Sequence, residues 1–150
     1  MAKRKTMKGD ACPVARAVDA MGDRWSLLIV RDAFDGLRRF SDFQKSLGVA
    51  KNILADRLRR LVSEGVLEAT AQAAGGAYAE YVLTPKGLAL FPVIVGLRQW
   101  GEGHLFDADE THSLLVEHRS GKPLMKMEVR GHGGRKIDPA KTVVLKLPTA

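Results

Sequence analysis

Residues 48–65, GVAKNILADRLRRLVSEG, decide the fold of this chain, because they form a basic amphipathic segment with glycine at both ends. At helical spacing the apolar residues share one face, namely Leu54, Leu58, Leu61 and Val62. The other face carries polar side chains flanked by cations, namely Asn52, Asp56, Arg59 and Ser63 between Lys51, Arg57 and Arg60. A helix in a DNA major groove needs hydrogen-bonding groups for base edges and positive charges for phosphates. An ordinary surface helix with a solvated charged face explains this stretch equally well, so its neighbours must decide.

Length and composition limit the class of protein. The 150 residues suffice for one domain with a core, and 45% hydrophobic and 27% charged residues are typical of a soluble globular chain. The net charge of +7 favours a polyanionic partner, either nucleic acid or an anionic membrane surface. One cysteine excludes an internal disulfide and a multi-thiolate zinc site, and no stretch suits a signal peptide or a membrane span. We therefore expect a cytoplasmic protein.

Two helices are predicted at the start of the chain, well before residues 48–65. Pro13 suits the first turn of a helix that Gly22 ends, since apolar residues recur at helical spacing between them. Asp23 is the predicted cap of a second helix over 24–34, in which Trp25 belongs to the core-facing stripe.

Residues 37–47 complete a helix-turn-helix pattern. Ser41 is predicted to cap a short helix, Phe40 and Phe43 supply its buried side chains, and Gly48 makes the turn into the opening segment. Two short helices joined by a glycine-containing turn, the second basic and amphipathic, are typical of this motif. The neighbours thus favour residues 50–64 as a recognition helix.

The hydrophobic period changes to two after Gly65, which predicts a β-hairpin with Val66, Tyr81 and Leu83 facing inward. A hairpin in this place is a wing. Thr84 then caps a single long helix over 84–106, which is apolar on more than one side. Such a helix buries more surface than one small core covers, so we expect it to form a dimer interface with the first helix.

Residues 107–150 alternate short strand-like runs with glycine and proline, which predicts a small β-rich extension of two or three strands. The expected organisation is a basic arm over 1–11, a winged helix-turn-helix and dimerisation domain over 12–106, and this extension. The predicted fold class is α+β, mainly α: a winged helix-turn-helix with a long C-terminal dimerisation helix and a small β appendage.

The sequence resembles the HxlR-type transcriptional regulators, a winged-helix group related to the MarR family, in five ordered motifs: CPVARAVDAMGDRW, IVRDAFDGLRRFSDFQKSLG, NILADRLRRLVSEGVLE, YVLTPKG and LRQW. The resemblance covers roughly residues 12–106. It implies a bacterial, dimeric, sequence-specific DNA-binding protein, commonly a repressor or a dual regulator, whose affinity responds to a small molecule or to oxidation.

Two departures limit what the resemblance implies. The wing segment QAAGGAYAE contains no lysine or arginine, which puts minor-groove insertion by an arginine in doubt. The C-terminal tail resembles a degenerate form of the cysteine-containing ribbon that some members of the family carry. Ser120 takes the position of a ribbon cysteine in this comparison. We expect no metal and no cofactor, since His112, His118 and His132 lack thiolate partners and a compact ligand spacing.

The candidate base contacts lie on the recognition helix. Asn52 is near its N-terminal end and can pair with adenine N6 and N7, or alternatively cap the first helical turn. Arg59 lies on the same side and reaches a base or a phosphate. Asp56 can accept from cytosine N4 or orient the arginines three and four residues later. Phosphate contacts are assigned to Arg38, Arg39, Ser41, Lys51, Arg57 and Arg60.

Two regulatory inputs are open. In related regulators an N-terminal cysteine in this CPV context senses oxidants or electrophiles, so Cys12 is either such a sensor or a small packing residue. A small-molecule effector would occupy an apolar crevice between the dimer helices, lined by Trp25, Phe91 and Trp100.

An enzyme is not expected, because the chain shows no nucleophile elbow, metal cluster or dinucleotide fingerprint. The predicted partners are a second copy of the chain and double-stranded DNA, with operator half-sites about 34 Å apart in an inverted repeat. The alternative is a winged-helix adaptor that binds proteins, and it predicts weak, salt-insensitive binding to DNA.

Overall fold

The computed structural model describes residues 5–71 and 79–148. The order of elements is α1 (Pro13–Met21), α2 (Arg24–Phe34), α3 (Phe40–Leu47), α4 (Lys51–Ser63), β1 (Leu67–Ala71), β2 (Ala79–Leu83), α5 (Pro85–Leu88) and α6 (Phe91–His104). A 3₁₀ turn follows at Pro139–Lys141. The chain packs as two compact units, Met1–Ile94 and Val95–Ala150, and α6 runs from the first into the second. The mainly helical fold with a small antiparallel sheet confirms the predicted fold class.

Helices α1 and α2 have the predicted boundaries. Gly22 ends α1, and the Asp23 carboxylate caps α2 by accepting from the Ser26 N–H at 3.0 Å. The α3 prediction is wrong in one detail: the N-cap is Arg39, without a side-chain capping bond, and Ser41 lies in the first turn. Starting two residues earlier than a Ser41 cap implies, the helix includes Phe40, which packs partly buried against the core that contains the fully buried Phe43.

One hydrophobic core joins the helix-turn-helix to the wing. Its fully buried side chains come from α2, α3, α4 and β1, namely Ile29, Val30, Phe43, Leu54, Leu58, Leu61 and Leu67. The Phe43 ring meets the Tyr81 ring of β2 edge-on, with 6.5 Å between centroids. The apolar face predicted for the recognition helix is therefore the face that α4 buries, and Gly48 makes the turn before it with a φ of 61°.

The wing is an antiparallel pair in which Leu67 lies opposite Leu83 and Ala71 opposite Ala79. The segment before α3 extends this sheet, because the Tyr81 N–H donates to the Arg38 carbonyl at 2.8 Å and residue 39 forms a bridge with residue 80. The predicted AAGGA turn lies outside the described residues.

The predicted single helix over 84–106 is two helices. Thr84 caps α5 by accepting from the Gly87 N–H, as expected, but α5 ends at Leu88 and α6 begins at Phe91. Pro92 explains the break, because it has no N–H to donate to the Leu88 carbonyl and its ring would collide with that oxygen. No helix among the described residues is long and apolar enough to cross a lipid bilayer.

The two or three strands expected after residue 107 are not formed in the described part of the chain. Residues 107–148 contain two isolated antiparallel bridges, Val116 with Pro123 and Arg130 with Lys136. Polar side chains of α6 hold this tail: the Gln99 amide donates to the Met125 carbonyl and accepts from the Met127 N–H, at 3.0 and 2.7 Å. The segment with alternating apolar residues at 125–127 therefore binds a side chain of α6 through its backbone and does not form a β-ladder with a neighbouring segment.

We expect Gly87→Ala to destabilise the chain by about 1–3 kcal/mol, because a Cβ at this position would overlap the Val66 carbonyl oxygen. Gly9→Ala is the matched control, since a Cβ there meets nothing within 4 Å. Urea unfolding of both variants measures the effect, and equal midpoints would contradict the close approach of α5 to residue 66.

Candidate nucleic-acid interface

The exposed face of α4 presents the predicted base-reading residues together. Asn52, Asp56 and Arg59 are exposed, while Leu54 and Leu58 on the opposite face are fully buried. The N-cap of α4 is Ala50, so Asn52 is a residue of the first helical turn and does not hold the cap position. Its amide is therefore displayed near the N-terminal end of the helix, where side chains of a recognition helix meet base edges.

Arg57 binds a carboxylate on another helix. Its Nε donates to Asp23 Oδ1 at 3.0 Å, and its Nη1 donates to Asp56 Oδ2 at 2.6 Å. The Arg57 side chain is only 27% exposed and that of Asp23 only 17%. The same Asp23 carboxylate accepts from the Ser26 N–H and from its hydroxyl, at 3.0 and 2.5 Å. One carboxylate thus caps α2 and anchors α4.

Arg60 anchors the same helix one turn later. Its guanidinium Nη2 donates to the backbone carbonyl of Asp19, in the last turn of α1. We call residues 19–23, where α1 passes into α2, the α1–α2 corner. Arg57 and Arg60 therefore seat the recognition helix on this corner, a role that the sequence interpretation missed. The available signal was their place on the flanks of the helical wheel, from which a long side chain reaches either toward DNA or back toward the protein.

The pKa of the Asp23 carboxyl follows from these contacts. Burial raises this pKa, but the hydrogen bonds from the Ser26 hydroxyl and N–H and from Arg57, together with the Arg57 charge, outweigh burial. The net result is a pKa below the ordinary value of 3.8. The ionised form is therefore the one that holds the corner together.

Asp56 connects the ion pair between Arg57 and Asp23 to the exposed face of α4. It binds Arg57 and lies 3.9 Å from Arg59 Nη1, so the expected orientation of Arg59 is observed. The prediction that Asp56 also orients Arg60 is wrong, because the Arg60 guanidinium donates to the Asp19 carbonyl. The Arg59 side chain is 75% exposed and borders an open cleft of about 290 Å³ between α4 and the wing sheet.

The remaining candidate phosphate contacts lie at the surface. Arg38 and Arg39 are 3.9 and 4.0 Å from the Glu80 carboxylate, whose side chain is 26% exposed. Lys51 is exposed at the start of α4. Ser41 is exposed in the first turn of α3, where free N–H groups favour an anion but the neighbouring Asp42 opposes one.

The described part of the N-terminal arm contacts the same corner. The Thr6 hydroxyl donates to Asp19 Oδ2 at 3.1 Å, and Lys8 Nζ lies 3.5 Å from Glu64 Oε1 at the end of α4. The arm thus lies beside the C-terminal half of the recognition helix.

The candidate regulatory residues occupy different places. Cys12 is exposed at the N-cap of α1, and its N–H donates to Asp10 Oδ1 at 2.8 Å. Trp25 packs half-buried on the core, and the Phe91 ring lies 5.3 Å from that of Phe34. Trp100 belongs to the second unit, where it is 59% exposed. The effector crevice stays a prediction.

Comparisons with known proteins agree with this geometry. The family model for the HxlR-like helix-turn-helix matches residues 20–109. An HTH-type transcriptional regulator of Mycobacterium tuberculosis, Rv3095, is 36% identical over 124 residues, which cover 83% of this chain and 78% of that protein.

Two solved structures are similar as well. The crystal structure of the candidate transcription factor PA1607 is 54% identical, with a TM-score of 0.89 over 93% of this chain and 98% of that one. The reduced form of the redox regulator HypR is 26% identical, with a TM-score of 0.59 over 63% of this chain and 94% of that one.

The lowered pKa of Asp23 predicts how stability depends on pH. A carboxyl whose pKa is lower in the folded than in the unfolded chain contributes stability above its unfolded value and loses it as the pH falls through the folded value. Asp23→Ser keeps a good helix cap but removes the ion pair, so we expect a loss of about 1–3 kcal/mol at pH 7. The difference from wild type should shrink as the pH falls below about 4.

Urea unfolding between pH 7 and pH 3 measures this difference. Arg57→Gln is the complementary variant, since it breaks the same pair without touching the cap. The double variant should cost little more than either single one. A constant difference between Asp23→Ser and wild type across this pH range would contradict the assignment.

Proposed function

We propose that this chain, which belongs to the HxlR-like helix-turn-helix family and is a DNA-binding transcriptional regulator, acts in the cytoplasm as a homodimeric repressor. Its proposed target is an inverted-repeat operator. The observation that carries this proposal is the division of α4 into two faces. Three leucines are fully buried on one side, and Asn52, Asp56 and Arg59 are exposed together on the other.

Base selection falls mainly on Asn52. Its amide offers a donor and an acceptor, which match the N6 and N7 positions of adenine in the major groove. Arg59 lies nearly two turns further along and reaches a base or a phosphate, and the exposed Asp56, 3.9 Å from Arg59 Nη1, orients it weakly. The readout thus depends on Asn52 first and on Arg59 second.

Phosphate binding falls to two groups of residues. Lys51, Arg38 and Arg39 are exposed and fix the register on the backbone together with the start of the α3 helix at Ser41. Arg57 and Arg60 act differently from the other cations, because their side chains bind the α1–α2 corner. Their contribution to DNA affinity is the orientation of α4.

A homodimer is supported by apolar side chains that one chain leaves uncovered. Those of α1 and α6 include Val14, Val18, Phe91, Val93, Leu97 and Trp100, each at least 41% exposed. Large apolar side chains exposed in such numbers are typical of an interface. Two recognition helices related by two-fold symmetry would then read half-sites one helical turn apart.

Cys12 supplies a redox input in this proposal. It is exposed, it stands at the N-terminus of α1, and the similar structures include a redox regulator in reduced and oxidised forms.

A gel shift with the DNA upstream of the gene and of its neighbours tests the function. We expect Asn52→Ala to erase the preference for the bound operator over random DNA, a loss of about 1–3 kcal/mol of discrimination. Arg39→Ala should weaken binding to both DNAs and lower the salt slope by about one unit, because it removes one phosphate contact. Arg119→Ala, an exposed cation of the tail, is the matched control and should change neither quantity.

An equal loss on operator and random DNA for Asn52→Ala would exclude direct readout by this residue. Weak, salt-insensitive binding by the wild type would favour the protein-binding adaptor.

Oxidation provides a separate prediction. Diamide oxidises two thiols to one disulfide, so Cys12, the single cysteine of the sequence, pairs either with the Cys12 of a second copy or with an added small thiol such as glutathione. With that thiol present, diamide should change the operator affinity of the wild type at least several-fold and leave that of Cys12→Ser unchanged. Identical responses of the two proteins in the same gel shift would reject Cys12 as a sensor.

A further inference from the structure

The end of the described chain is an extended segment with uncovered apolar side chains. After the 3₁₀ turn, Val143, Val144, Leu145 and Leu147 are 91%, 83%, 79% and 76% exposed. The Thr142 N–H donates to the Pro139 carbonyl, and residues 143–148 make no backbone hydrogen bond to another described residue. We call residues 142–148 the terminal strand segment.

This segment has the features of a strand that lacks its partner. Along an extended backbone Val143, Leu145 and Leu147 share one side, and Val144 and Lys146 share the other. An apolar side next to unpaired N–H and C=O groups is unfavourable in water, and pairing with another chain satisfies both.

We propose that the terminal strand segment binds a second copy of this chain and closes the dimer as a clasp. The inference rests on the proposed homodimer and adds to it the surface that makes it stable. The chain's own tail leaves the apolar side chains of α6 open, because it binds polar α6 residues: Arg98 donates to the Ser113 carbonyl at 3.1 Å, and Gln99 holds residues 125–127. Leu97 and Trp100 remain exposed on the same helix.

The area available for a dimer favours a second copy as the occupant. A fully exposed valine or leucine side chain offers about 100 Å² and an aromatic side chain about 200 Å². By this measure the exposed apolar side chains of α1 and α6 supply roughly 800 Å² in a symmetric pair, the size of a crystal contact. The apolar sides of the two terminal strand segments, formed by Val143, Leu145 and Leu147, add roughly 500 Å² and bring the total to about 1,300 Å², within the range of stable interfaces.

Two-fold symmetry also suits this occupant. In a two-fold dimer each chain gives and receives the same contact, so both clasps are occupied and no further copy is recruited. The apolar side of each segment then meets apolar surface of the partner, while Lys146 stays in solvent.

Sedimentation equilibrium of the full chain tests the clasp with a matched pair of neighbouring substitutions. Leu145→Asp places a charge on the apolar side and should raise the dimer dissociation constant at least 10-fold. Lys146→Asp changes the charge by more, but on the opposite side, and should raise it less than 3-fold. Circular dichroism establishes that both variants keep the helical content of the wild type.

Hydrogen exchange of the wild type provides a second measurement that needs no variant. The amides of residues 143–147 should exchange at least 10-fold more slowly above the dimer dissociation constant than below it, because pairing protects them. A wild-type dimer that Leu145→Asp leaves unchanged, or whose terminal amides exchange equally fast at both concentrations, would overturn the clasp alone. A monomeric wild type would overturn the homodimer as well, whereas a dimer that ignores all upstream DNA would overturn only the proposed function.

Discussion

The bond between Asp23 and Arg57 is the constraint on which the interface depends. A recognition helix selects bases only if its exposed side chains keep a fixed position relative to the rest of the domain. Buried leucines determine which face of α4 packs against the core. The Arg57 hydrogen bond to Asp23, and that of Arg60 to the Asp19 carbonyl, add directional contacts that join α4 to the α1–α2 corner.

The α1–α2 corner also brings several elements of the molecule together. Asp19 accepts from Arg60 through its carbonyl and from Thr6 of the arm through its carboxylate. The same helix α1 begins at Cys12 and exposes Val14 and Val18. A displacement of α1, whether from oxidation at its start or from a partner on its apolar side, therefore acts directly on hydrogen bonds that orient α4. This is a short physical connection between an input and the DNA-reading face.

The sequence predicted the parts of this arrangement that depend on periodicity and local capping. Leu54, Leu58 and Leu61 recur at helical spacing, and Asp23 precedes a helix as a cap, so both could be recognised locally. The binding of Arg57 to the α1–α2 corner could not be recognised in this way, because Asp23 and Arg57 are 34 residues apart. No local pattern indicates whether an arginine on the flank of a helix points toward the solvent or toward the protein. The long-helix prediction gave too little weight to Pro92. The tail strands were predicted from alternating apolar residues, but alternation specifies a strand only when a partner backbone is present.

The residues that hold α4 in place are separate from those on its exposed face, and this separation has a consequence for how the proposed DNA preference can change. The residues that hold α4 in place, its leucines with Arg57 and Arg60, are distinct from Asn52 and Arg59, which point outward. In the proposed function, substitutions on the outward face alter the preferred DNA sequence at little expense in folding stability, since exposed positions tolerate change. The same scaffold then serves a different operator after changes on a single helix, with its core and the contacts of Arg57 and Arg60 kept as they are.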